Sequence, residues 1–471
     1  FIPYLYYIIE KYRIGIFMSK NIEEYLKAPS INIDEWEKIA DSSLKDKTIR
    51  DLEKLLDENI STKPLYTQTD VDDDFSLSSR RGLRDDINQY MPWYICSTID
   101  HSNDTKVLNS RILNELERGS NSLELSSFAE GNLSNILKNV DLSIAPIYFK
   151  NLRDPLEKID EYQTYLNDFK DLSKKNPMGG YLIDPIATNL WLREFSEEKF
   201  GESIEHQNLL EKTIKASSNV KNKFSTIEII HIDGSLWDDL GAGLSKEIEL
   251  IASSYLEILK TSKENYKELQ EVNITVSSNT NFFASIAKIR SIRVIFNNIF
   301  NHFKINGRLN ITSRSSSNII FKEDPWVNQL RITTAALSAA IGGADRIICN
   351  NITQKLGQAP EFIKRLTRNT HIILQEESRI SRVQDPSGGS FYIEKLTNDI
   401  SQNSWRNIKL IEKLGGISSL ILSDGFITEL RESREKQKKD IEDKNIKKIG
   451  VNIFEDPDSN PINVRPFEEA L

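Results

Sequence analysis

A chain of 471 residues can hold one barrel of roughly 250 residues or more plus peripheral segments, so one large domain with extensions is the first expectation. Its 61 Lys+Arg against 70 Asp+Glu leave a net charge of -9, which argues against nucleic acid or an anionic membrane as the main partner while leaving local basic pockets open. The two cysteines, Cys96 and Cys349, lie far apart with no C-x-x-C pairing; this argues against a disulfide framework or a zinc site and fits a reducing, cytoplasmic compartment.

The opening FIPYLYYII is apolar, but Glu10, Lys11 and Arg13 interrupt it before the roughly 20 residues a membrane span needs, and no cleavage site follows. Met18 reads as a natural start and residues 1–17 as an upstream extension, with a short amphipathic helix as the alternative. Residues 18–80 read as an arm. Within it Trp36, Ile39, Ala40, Leu52 and Leu55 recur at helical spacing, a stripe that needs another surface to cover it. From Thr67 to Arg84 the chain turns acidic, then serine-rich, then basic, as a surface crossover does. A metal site at Asp70, Asp72, Asp73 and Asp74 is disfavoured, because an EF-hand loop requires a glycine and a closing glutamate absent here.

Beyond residue 100, β-branched runs alternate with helical stretches: 122–128, 142–149, 225–232, 273–279, 309–315 and 345–351. This predicts a parallel α/β sheet. No phosphate-cradling glycine motif follows any of these strands, which weakens a dinucleotide-binding reading. Several strands are apolar on one face only: Leu123 and Leu125 alternate with Glu124 and Ser126, Ile274 and Val276 with Thr275 and Ser277, Leu309 and Ile311 with Asn310 and Thr312. Either the sheet closes into a barrel around a lumen of small hydroxyl and amide side chains, or these are edge or antiparallel strands with a solvated face; the pattern alone leaves both open.

Residues 282–300 form a helix with an apolar face through Phe282, Ile286, Ile289 and Phe296, on which Arg293 is expected to make a structural ion pair. In DPSGG, Pro386, Gly388 and Gly389 make a turn, capped by Asp385, before a strand-like Ser390 to Ile393, while Arg382 is expected to pair with a carboxylate. His231 and His371 lie in β-branched or apolar runs and read as satisfied core histidines rather than acid–base groups.

The run QEESRISRVQDPSGGSFYIEKLT at 375–397 resembles the signature of the methylmalonyl-CoA mutase family. Further likeness lies in KPLYTQTD at 63–70, MPWYI at 91–95, FFASIAKIRSIR from Phe282, EDPWVNQLRITTAALSAAIGGAD at 323–345 and IGVNIFED at 449–456, in the family's order. The resemblance implies a (β/α)8 TIM-type barrel whose lumen is threaded by the pantetheine arm of an acyl-CoA. On this reading residues 81–430 are the barrel and residues 431–471 a C-terminal helix and tail, with no cobalamin-binding domain within the sequence.

The departures from the family pattern bear on activity. Where catalytic members carry tyrosine and histidine against the thioester, this chain has Ser235 and Leu236 in IDGSLWDDLG. Thr98 replaces the tyrosine of P-W-x-I-x-Q-Y, and Ile183 in GYLIDP stands at the position of a substrate-contacting glutamine. None of the five histidines, His101, His206, His231, His302 and His371, follows an aspartate by two residues, as the family's cobalt-ligating D-x-H-x-x-G requires. The resemblance therefore implies a small subunit with no catalytic, cofactor-binding or metal-ligating residue of its own. Its partner would be a catalytic large subunit holding adenosylcobalamin. The alternatives are the substrate-binding chain of an active acyl-CoA mutase served by a separate cobalamin polypeptide, and a non-enzymatic CoA-thioester binding protein.

Overall fold

The computed structural model describes residues 32–57, 59–71, 93–125, 133–150, 156, 158–195, 206–262, 269–456 and 461–467. The extension 1–17, Asp72, Asp73, Asp74, Pro92 and Ser126 lie outside these residues. Contacts divide the chain into two compact units, residues 1–56 with 61–65, and residues 57–60 with 66–471.

In the first unit the helix Ile33–Ser43 begins at Asn32, whose side chain accepts from the Glu35 amide. None of its residues is buried, and Ile39 is 59% exposed. The stripe expected to run on through Leu52 and Leu55 is broken instead: Leu52 ends a 3-10 turn, Ile49–Leu52, and Leu55 lies in the strand Lys54–Asp57. The break is local chemistry, since Asp51 closes a capping box on Thr48 and Asp41 accepts from the Ile49 amide.

The second unit is built on a ring of parallel strands: β1 Tyr94–Ile99, β2 Ser122–Leu125, β3 Ile147–Phe149, β4 Gly179–Ile183, β5 Ile227–Ile230, β6 Glu271–Ser278, β7 Arg308–Ser315 and β8 Arg346–Ile348. A ninth segment, Ile232–Asp233, continues β5 after a break at His231. Strand β8 pairs with β1, and the two parts of β5 pair with β4 and β6, so the ring closes. The closed barrel decides between the two readings of the one-faced strands. It also contains two strands that the β-branched runs did not mark, β1 and β4.

Helices follow the strands and supply the outer core. Leu123, Leu125, Ile147, Phe149, Ile227 and Ile229 pack outward against Leu108, Ile112, Tyr162 and Leu166. The long helix Phe282–Phe303 is buried almost all round and carries three cations into the interior, each paired. Lys288 reaches Glu247, Arg290 reaches Asp385 and Glu394, and Arg293 pairs with Asp345 at 2.9 Å, the ion pair expected for it.

The segment after DPSGG is not a strand: Ser390 is the N-cap position of the helix Phe391–Lys413. Its buried residues Ile393, Leu396, Thr397 and Ile400 fall at helical spacing, and Glu394 reaches back to the Gly389 amide at 3.0 Å. Among the described residues the carboxylate pairing expected of Arg382 is not found; the turn is held instead by Arg290, which reaches from a buried helix face to both Asp385 and Glu394. Gln375 of the same signature donates to the Trp93 carbonyl at 3.0 Å and so fixes the entry to β1.

Candidate functional site: the lumen and its C-terminal mouth

Side chains alternate along a strand, so the outward packing of Leu123 and Leu125 turns Glu124 inward, and the same parity places Tyr148, Glu228, Arg314 and Arg346 in the lumen. Arg346 sends its Nε to Thr312 Oγ1 at 2.9 Å, lies 3.5 Å from Glu228, and stacks over the Tyr148 ring at 3.7 Å. Arg314 on β7 reaches Glu124 on β2. Lys150, just past β3, reaches Asp233 at the end of β5. His231 Nε2 lies 2.7 Å from Thr275 Oγ1.

The lumen is therefore polar, as the strand pattern implies: hydroxyls such as those of Thr275 and Thr312 line it, and large charged side chains project among them. Three cations, Lys150, Arg314 and Arg346, answer three carboxylates, Glu124, Glu228 and Asp233. Burial works against the charged form of each carboxylate, yet the neighbouring cations outweigh it. Arg314 holds Glu124 below the ordinary carboxylate range, Arg346 does so for Glu228 and Lys150 for Asp233. The signal was present in the sequence as charges inside β-branched runs, Glu124 in SLEL, Glu228 in IEII, Arg314 in NITSRS and Arg346 in DRII.

Over the mouth lies the short helix Gly234–Leu240, formed by the segment that departs from the family pattern. Asp233 begins it by accepting from the Ser235 amide, and Gly241 ends it at φ +112°. A side chain on Gly241 would meet the Leu430 carbonyl at 2.3 Å, and one on Gly234 would meet the Thr275 carbonyl at 2.5 Å, so both glycines are required by close approach. Asp238 accepts from Ser316 Oγ; Asp239 accepts from Ser317 Oγ and from Trp191 Nε1 at 3.1 Å. Burial pushes both carboxyls up to about 6, Glu247 adding to the effect on Asp238. Asp184 also rises to about 6 through burial, against three backbone amides that donate to it.

Of the residues singled out from the sequence, Leu236 is 3% exposed within this helix, and Ser235 is buried with its hydroxyl on Asp233. Thr98 lies at the end of β1, where it lines a cavity of about 380 Å³ with His101, Glu124, Arg314, Asn350 and Phe467. Ile183 is not gathered with them. It is buried in the apolar cluster with Tyr181, Val220 and Phe224.

His231 is enclosed in the lumen on Thr275, and His101 Nε2 lies 2.9 Å from Asn103 Oδ1. His371 is buried, its Nδ1 makes no hydrogen bond, and burial pulls its imidazole down to about 4, so it is a core histidine but not a fully satisfied one.

A ring of eight parallel strands with helices packed outside it defines a (β/α)8 protein of the TIM type. The profile described as Methylmalonyl-CoA mutase matches residues 199–471, and the chain belongs to that family. It is 25% identical to methylmalonyl-CoA mutase of Cereibacter sphaeroides, over 93% of this chain and 66% of that protein. It is 24% identical to the methylmalonyl-CoA mutase small subunit of Streptomyces virginiae, over 78% of this chain and 59% of that one. With the small subunit from Propionibacterium freudenreichii subsp. shermanii it shares 30% identity over 51% of this chain and 39% of the relative. The chain thus spans less than two thirds of the length of these relatives. Among the described residues no helix is long and apolar enough to cross a membrane.

Proposed function

We propose that this chain is the small, non-catalytic subunit of a heterodimeric methylmalonyl-CoA mutase. A catalytic large subunit would bind adenosylcobalamin and interconvert methylmalonyl-CoA and succinyl-CoA. What carries the reading is Leu236, an aliphatic side chain buried in the helix Gly234–Leu240, where the sequence resemblance expects the family's thioester-binding histidine. An aliphatic side chain donates no hydrogen bond to a developing charge on a carbonyl oxygen. The ion pairs that cross the lumen support the same reading, because a pantetheine arm threading the axis would have to displace charges that hold one another. Two relatives bearing the small-subunit name also support it. Residues 18–80 would then be the arm applied to the partner.

The test is to purify this chain with a full-length catalytic mutase chain and assay turnover of each alone and together. The expected result is turnover by the pair and none by this chain supplied with a free cobalamin domain. Turnover in that last arm would instead make this chain the substrate-binding part of an active mutase.

A further inference from the structure

We propose that Phe321, Lys355 and Lys448 form a binding site for a phosphate group at the rim of the barrel mouth, on the loops that follow β7 and β8. The proposal does not rest on the small-subunit reading. Phe321 follows the 3-10 turn Ser317–Ile319 beyond β7, Lys355 lies in the loop beyond β8, and Lys448 comes from the segment after the helix Asp424–Glu442. These three remote parts of the chain converge on one aromatic ring. Lys355 Nζ lies 5.7 Å and Lys448 Nζ 5.9 Å from its centre, with the Arg331 guanidinium at 4.8 Å.

Arg331 is already committed, since its NH1 donates to Asn328 Oδ1 at 2.7 Å and its NH2 to the Ile449 carbonyl. Among the described residues, neither lysine makes an ion pair with a carboxylate. The charges that act on Lys355 are the carboxylates Asp239 and Glu323 and the cations Lys322 and Lys438, and Arg331 acts on Lys448. Asp324 and Glu323 face Arg331. Half-buried Lys448 is held below its ordinary range by burial and then by Arg331.

Bringing like charges together on one ring is unfavourable unless something of opposite sign enters between them. Lysine is a common point-charge binder of phosphate, and the ring supplies a water-poor wall that strengthens such contacts. In many (β/α)8 barrels the loops after the seventh and eighth strands hold a phosphate group. A phosphate monoester or diphosphate, with more than one negative charge, matches two free ammonium groups better than a single carboxylate does.

The test is calorimetric titration of the full-length protein with inorganic phosphate and, separately, pyrophosphate, at ionic strength held constant with sodium chloride. Acetate serves as the carboxylate arm. The expected result is one saturable site per chain for at least one of the two phosphates, weakened about tenfold or more in Lys355→Gln/Lys448→Gln and retained in Lys448→Arg. Melting curves in phosphate-free buffer should superimpose for all three proteins, and phosphate should raise the melting temperature of the wild type but not of the double variant. Absence of saturation by about 10 mM, where even a millimolar site would be mostly filled, would overturn the proposal. So would binding that survives unchanged in the double variant or is matched by acetate.

Discussion

The guanidinium of Arg346 stacks 3.7 Å above the Tyr148 ring and bonds Thr312 at 2.9 Å, so a single cation joins β8 to its neighbour β7 and reaches β3 across the lumen. Glu228 on β5, at 3.5 Å, neutralises it. A barrel interior is ordinarily filled by layers of branched apolar side chains. Here layers of paired charge take that place, which makes the interior sensitive to the loss of one partner and far less so to the loss of both.

Removing one partner therefore has a distinct signature. Arg346→Met leaves Glu228 buried with only His231 nearby, and chemical denaturation should show a loss of about 3–5 kcal/mol. In Arg346→Met/Glu228→Met the stranded charge disappears, and much of that loss should be recovered. A double variant as unstable as the sum of its singles would mean that the pair does not act as a unit.

Leu236 gives a prediction about activity. Restoring the family's imidazole with Leu236→His places a polar ring where a 3% exposed aliphatic side chain now packs, at a cost of about 1–3 kcal/mol to this chain. With Ser235 held on Asp233 and the lumen closed by ion pairs, the substitution should leave turnover of the assembled complex within about twofold of wild type, which is too small a barrier change to mark a reacting group. A gain of turnover by this chain without a catalytic partner would show that the mouth still admits substrate.

These two cases show how the sequence carries part of the story. Alternation around Leu123, Ile274 and Ile311 gives the strands and their polar inner face, because the two-residue period is imposed by the backbone itself. What fills that face depends on partners far apart in sequence: Glu124 meets Arg314 across 190 positions. The strand expected at Ser390 to Ile393 fails for a similar reason. Tyr392 and Ile393 suit a strand locally, but Glu394 capping Gly389 and the burial of Ile393, Leu396 and Ile400 select a helix. Ile183 shows the same limit: a motif match aligns it by its neighbours, while its burial with Tyr181, Val220 and Phe224 depends on segments far along the chain.

The pH dependence of stability should have two opposed limbs. Asp184, Asp238 and Asp239 sit at about 6 in the fold, against an ordinary 3.8, chiefly through burial. Between those values the folded chain keeps protons that the unfolded chain has lost, so stability declines as pH rises through that window. Glu124, Glu228 and Asp233 are shifted the other way. Their contribution is complete above the ordinary carboxylate range and is lost as pH falls below it. Asp238→Asn keeps an acceptor for Ser316 while removing one titrating group, so it should be more stable than wild type at pH 7 by roughly 1–3 kcal/mol and no more stable near pH 4. Thermal melts across the range would reveal the opposite sign if the carboxylate were instead stabilised in its charged form.

Arg290 gives the sharpest test of the signature as scaffold. It is buried in the helix Phe282–Phe303, and its two terminal nitrogens divide between Asp385 in the DPSGG turn and Glu394 at the start of the next helix. Lysine would keep the charge but offers one ammonium in place of a fork, so it cannot hold both carboxylates in this geometry. Arg290→Lys should therefore destabilise the chain, by about half or more of the ~3–5 kcal/mol expected for Arg290→Met. Hydrogen exchange should rise first at the Gly389 amide, which donates to the Glu394 carboxylate, and then at the Gly388 amide, which donates to the Asp385 backbone carbonyl. If Arg290→Lys were neutral and the turn stayed protected, the paired carboxylates would not be what fixes the turn, and DPSGG would hold its shape through the left-handed backbone of Asp385 and Gly389.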